Sequence, residues 1–260
     1  EGLPSCTKAE SHPSWSKDDP VNVVNGFHWY DGLSLFTKTF NSWFTVDHEK
    51  QKFIFGEKNA AAYFIKCLAE GIGWTKIKMR NMPALLGEFG LAFDMNRRRA
   101  FKTGNYKAHE KALSMYYDAV DANLLNSTIW NYSASNTNKY GDSWNDEDLS
   151  IFSEGKERAA AGWKRPYPMA TAGKPFSFKW NRKRKELTFC YDADKKIKAP
   201  SLIFLPADIF GATPKIEALA KIEDSIRYLR WEYSYEDQLL SVYNDDLSGE
   251  AVINVRSNVR

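Results

Sequence analysis

The chain has 260 residues, 43% of them hydrophobic and 27% charged, with a formal net charge of +3. That balance fits one or two folded domains and gives no reason to invoke nucleic acid; no apolar run reaches the roughly 18 residues that a membrane-spanning helix needs. Cys6, Cys67 and Cys190 are far apart and odd in number, so they make neither a disulfide framework nor a metal pattern.

Residues 5 to 19 are polar and rich in Ser, Pro and Asp, as in a loop. Val21 to His28 reads as a short buried strand whose end carries His28, Trp29, Tyr30 and Asp31. The aromatic stretch from Leu35 to Phe55 is expected to pack as a loop on the rim of the fold; the functional alternative is an apolar lip for a lipid. From Asn59 to Lys78 apolar residues recur at helical spacing. Ala84 to Leu86 follows Pro83 and is too short and apolar for an amphipathic helix. Gly87 and Gly90 flank Glu88, so this strand breaks at the carboxylate. The plain structural alternative is a buried Glu88 paired with an arginine or lysine.

Arg97 to Arg99 reads as a solvated loop that could also attract anionic lipid headgroups. Tyr106 to Leu124 is helical by its spacing, and Ser127 to Ile129 is a third short strand, ending at Trp130. The polar stretch 131 to 153 has no period and is longer than an ordinary connection, which marks it as a loop over a cleft. Asn136, Asp142 and Trp144 are its candidate sugar contacts. The spacing of Asp142, Asn145, Asp146 and Asp148 does not fit a calcium loop, and no metal or cofactor is expected. Two glycosylation tripeptides, starting at Asn126 and Asn131, read as chance matches. Localisation stays undecided.

Beyond Pro175 the pattern changes to short alternating runs at 176–180, 187–191, 202–205, 226–229, 239–243 and 251–255, which predicts an antiparallel sandwich. Residues 181 to 185 form a basic turn, expected to be solvated, with peripheral contact to an anionic membrane as the alternative. No obligate protein partner is expected. Strands alternating with helices in the first part predict parallel strand-helix units, and three strand ends bearing His28 and Tyr30, Glu88, and Trp130 are how parallel barrels present catalytic groups.

The runs Phe27 to Leu33, Gly87 to Gly90, Trp130 to Tyr132, Asn136 to Asn138 and Gly141 to Ser150 resemble glycoside hydrolase family 5, most closely its endoglycosylceramidase, glucosylceramidase and steryl-glucosidase branch. Arg165 to Pro168 with Thr171 to Gly173 is similar to the segment leading into that branch's C-terminal β-domain. The resemblance implies a retaining β-glycosidase acting on a glycosylceramide or steryl glucoside. Glu88 would be the nucleophile, His28 and Tyr30 would orient it and the sugar, and Trp130 would floor the sugar site. It places the family's acid/base glutamate after an asparagine upstream of residue 1, so the isolated chain is expected to be inactive; Asp31, Asp142 and Glu147 match no acid/base position.

The expected fold is α/β: the C-terminal portion of a TIM (β/α)8 barrel, about strands 6 to 8, in residues 1–172, followed by an antiparallel β-sandwich in 173–260. A whole barrel needs about 250 residues, and only about 170 precede the β-rich tail. The rival readings are a β-1,4-glucanase-like hydrolase of soluble glucans and a non-catalytic sugar-binding protein.

Overall fold

The computed structural model describes residues 14–222 and 225–259. Cys6 and the first part of the expected 5–19 loop lie outside the described residues. The chain divides into two compact units, Glu1–Trp163 and Lys164–Arg260.

The first unit is built on three parallel strands in the order β1 (Asn25–His28), β4 (Ala84–Phe89), β5 (Asn126–Ile129). Between the first two come α1 (Gly32–Thr37), the hairpin β2 (Phe44–Asp47) and β3 (Lys52–Phe55), and the long helix α2 (Glu57–Lys78). α3 (Met95–Thr103) and α4 (Lys107–Ala122) join β4 to β5. β1 is shorter than expected: Val21 and Val24 are exposed and precede it. The aromatic stretch after it is an ordered helix and hairpin instead of the loop expected there. Arg97 to Arg99 lie in α3, whose Asn96, Arg97 and Arg98 take left-handed backbone angles.

The helices bury the faces their spacing predicts. In α2, Ala60, Phe64 and Leu68 recur every fourth residue and are buried; in α4, Ala112, Leu113, Tyr116, Ala119 and Val120 do the same. Trp29, Phe64 and Tyr116 meet edge to face, with ring centroids 5.2 to 5.4 Å apart, and fix α2 and α4 on the sheet. After β5 the chain runs irregularly to a small hairpin, β6 (Phe152–Ser153) with β7 (Lys156–Glu157), and the single turn α5 (Ala160–Trp163).

In the second unit a five-stranded antiparallel sheet and a four-stranded one share the chain. The strands are β8 (Tyr167–Ala170), β9 (Gly173–Asn181), β10 (Glu186–Ala193), β11 (Ser201–Phe204), then the turn α6 (Ala207–Phe210), β12 (Lys215–Ile222), β13 (Ser225–Tyr228), β14 (Arg230–Ser234), β15 (Leu239–Tyr243) and β16 (Gly249–Arg256). The five-stranded order is β13-β12-β16-β10-β9 and the four-stranded order β14-β15-β11-β8. Strict alternation buries one side of the central strands, with Leu187, Phe189 and Tyr191 on β10 and Ala251, Ile253 and Val255 on β16. The two units divide between Trp163 and Lys164, and Tyr167 to Ala170 pairs with β11 in the second.

Candidate active site

The three parallel strands end at one edge of their sheet, where His28 of β1 stands opposite Glu88 of β4 and Phe89 opposite Ile129 of β5. The chain then keeps these ends together: the Trp29 amide donates to the Glu88 carbonyl at 3.0 Å and the Trp130 amide to the Phe89 carbonyl at 2.7 Å. His28, Tyr30, Glu88 and Trp130 are thereby brought to one place, as the sequence suggests. Gly90 is required by this approach, since a Cβ there would lie 2.1 Å from the Trp130 carbonyl oxygen.

Glu88 is partly buried, with its side chain 23% exposed, and no arginine or lysine is paired with it among the described residues. The Tyr30 hydroxyl donates to Glu88 Oε1 at 2.5 Å, and His28 Nδ1 lies 3.6 Å from Oε2. Burial raises the Tyr30 phenol well beyond the ordinary tyrosine range, and the hydrogen bond and charge of Glu88, then the charge of Glu147, push it further. Tyr30 is therefore a donor to one carboxylate oxygen, while His28 lies beside the other. Trp130, directly after β5, is 36% exposed.

The long polar segment is an ordered loop whose polar side chains face one another. Asn136 is only 1% exposed, and its amide donates to Asp142 at 2.8 Å and Asp148 at 3.1 Å. Asp142 also accepts from the Asn131 amide and the Leu149 backbone N–H. Arg158 closes the lattice by a 2.6 Å ion pair with Asp148 and by lying 4.2 Å over the Phe93 ring. Asn136 and Asp142 thus tie the loop together through the Asn136 amide group, while the Asn136 Oδ1 is buried without a hydrogen-bond partner among the described residues. Trp144 is 67% exposed on the same loop.

Asp31, one residue beyond Tyr30, is buried and takes hydrogen bonds from Ser34, Thr45 and Tyr116. Burial pushes its carboxyl up while these hydroxyls pull it down. It anchors α1 and β2 beneath the site. Sequence reasoning missed this anchor and the Arg158 clamp, both of which join residues far apart in the chain. It also missed a cavity of about 570 Å³ lined by His28, Tyr30, Phe36, Val46, His48 and Tyr63 among others.

A carboxylate at the end of a parallel strand, held by a phenol with an imidazole nearby, fits the nucleophile position of a retaining glycosidase. Comparison with known proteins agrees in kind. Residues 165–256 match the Glycoside hydrolase family 5 C-terminal domain. A glucosylceramidase of Rhizopus delemar is 31% identical over 78% of this chain and 34% of its own length. An ergosteryl-beta-glucosidase of Saccharomyces cerevisiae is 31% identical over 48% of this chain and 18% of its own length. The crystal structure of Cryptococcus neoformans sterylglucosidase 1 superposes with a TM-score of 0.78 and 26% identity, over 91% of this chain and 38% of that one.

The glycoside hydrolase family 5 C-terminal domain thus forms most of the second unit. The chain's relatives are named glucosylceramidases and steryl-glucosidases, as the sequence motifs imply. The chain spans about a third of the length of the curated relatives it matches.

Proposed function

We propose that the chain carries the nucleophile half of a retaining β-glycosidase that cleaves the β-glucosidic bond of a glycolipid, a glycosylceramide or steryl glucoside. The observation that carries this reading is the 2.5 Å hydrogen bond from Tyr30 to Glu88 at the mouth of the parallel sheet. In double displacement the free oxygen of Glu88 attacks the anomeric carbon, and a second carboxyl group about 5 to 5.5 Å away protonates the leaving oxygen, then deprotonates water. The family resemblance implies that this second carboxyl is a glutamate outside residues 1–260, since Asp31, Asp142 and Glu147 match no acid/base position of the family. His28 orients Glu88 and the sugar. Trp130 stacks under the pyranose ring, where the flat indole face matches its axial C–H groups. Trp144 covers the same sugar from the loop.

In this reading the three parallel strands are strands 6 to 8 of a (β/α)8 barrel, and the two antiparallel sheets of the second unit pack as a sandwich. Support comes from the shared carboxyl edge of the strands and from the named activities of the relatives. The substrate class is tested by hydrolysis with the longer protein that contains this chain. Steryl glucoside or glucosylceramide is expected to be cleaved faster than soluble cello-oligosaccharides, with the first-released sugar in the β configuration. Faster cleavage of the oligosaccharides would favour a glucanase.

A further inference from the structure

The hairpin β2–β3 is turned inside out. Its register sets Phe44 opposite Phe55 and Val46 opposite Phe53, so these four side chains share one face while Thr45 and Asp47 lie on the other. The polar face is the one turned inward. Thr45 is 1% exposed with its hydroxyl on Asp31, and Asp47 is 8% exposed. The apolar face looks out, with Phe53 69% and Phe55 61% exposed and the rings of Phe44, Phe53 and Phe55 clustered at 5.3 to 6.4 Å. Trp43 and Phe36 extend the patch, at 64% and 84% exposed.

A hairpin that met only water would show the opposite alternation, since one residue of slip exchanges the faces and inward aromatics bury far more apolar surface. Contiguous exposed rings mark a surface with an apolar partner. The chemistry around the patch selects which one. The turn at its tip carries Lys50 beside Glu49, and Lys52 opens β3 opposite Asp47; the two lysines and Glu49 are exposed. A tryptophan with lysines at the rim of an apolar face is the composition of a segment seated at a bilayer interface. The patch is also continuous with the site, because Phe36 and Val46 line the same cavity as His28 and Tyr30.

We propose that this outer face of β2–β3, with Trp43 and Phe36, is the surface on which the protein rests on a lipid bilayer, so that a membrane glycolipid's sugar is presented to Glu88. The role of the surface rests on the glycolipid reading; its lipid binding is measured independently of it. The test is co-sedimentation of the chain with phosphatidylcholine vesicles, with and without phosphatidylserine, beside the exposed-residue variant Phe53→Ser/Phe55→Ser, whose fold is checked by circular dichroism.

The chain should pellet with both vesicle types, more with the anionic one, and the double variant should partition roughly tenfold or more weakly. Lys50→Glu/Lys52→Glu should lose only the part of binding that salt screens. The proposal is overturned if the chain stays in the supernatant with both vesicle types, if the serine variant binds equally, or if the patch proves only to join two copies. Hydrolysis of steryl glucoside and glucosylceramide by the longer protein that contains this chain is measured beside it. No cleavage of either with intact vesicle binding would sink the glycosidase reading and leave the lipid surface standing.

Discussion

At the scale of single residues, the site is defined by which groups can still act and which are already saturated. Tyr30 can only donate, because burial and Glu88 keep its proton in place. Tyr30→Phe removes the 2.5 Å bond without changing shape, and in the longer enzyme it should lower kcat on the order of 10²- to 10³-fold, in the range seen for loss of one transition-state donor. An unchanged kcat would remove Tyr30 from the machinery.

His109 shows the opposite use of burial. It is 2% exposed, stacks on Phe93 and donates from Nε2 to the Phe93 carbonyl, and burial holds its imidazole down at about 4. The folded chain therefore resists a proton that the unfolded chain accepts. Stability should fall as pH drops from about 6.5 toward 4, by up to about 3 kcal/mol, and His109→Phe should flatten that slope in denaturant titrations.

At the scale of elements, helix α2 supplies a direct comparison of two glycines on one helix. A Cβ on Gly71 would lie 2.6 Å from the buried Phe27 ring, whereas one on Gly73 would meet nothing within 4 Å. Gly71→Ala should cost about 1 to 3 kcal/mol through overpacking, and Gly73→Ala should add about 0.5 to 1 kcal/mol by restricting the unfolded chain. Thermal unfolding of the two variants checks both signs. These elements also show how much the sequence reveals. α2 and α4 are legible because their apolar residues repeat at helical spacing, and Glu88 is legible as a polar residue near the end of a short apolar strand, although β4 runs through Gly87 and Glu88 to Phe89 instead of breaking at the carboxylate. The β2–β3 hairpin is not, since its alternation is inverted and reads as a packed aromatic loop. The contacts of Asn136 and Asp142 within the loop are not legible either, because a polar stretch in one dimension does not show its partners; Asp148 and Arg158 supply them only after folding.

For the whole molecule, two compact units carry different duties: the first holds the site and the second is stabilised by its own core. Asn244 stitches that core together. It is 3% exposed, accepts from the Tyr191 hydroxyl at 3.0 Å and donates to the Ala172 carbonyl at 2.7 Å. Asn244→Ala should leave buried groups unsatisfied and cost on the order of 2 to 3 kcal/mol in unfolding of the second unit. In the proposed mechanism the chemistry rests on the first unit and on one oxygen of Glu88. The most direct measurement is a covalent trap: the longer protein containing this chain is incubated with a 2-deoxy-2-fluoro-β-glucoside, digested, and the labelled peptide sequenced by mass spectrometry. Stoichiometric glucosylation of Glu88 is the predicted result, and label on another carboxylate, or none at all in an active preparation, would contradict it.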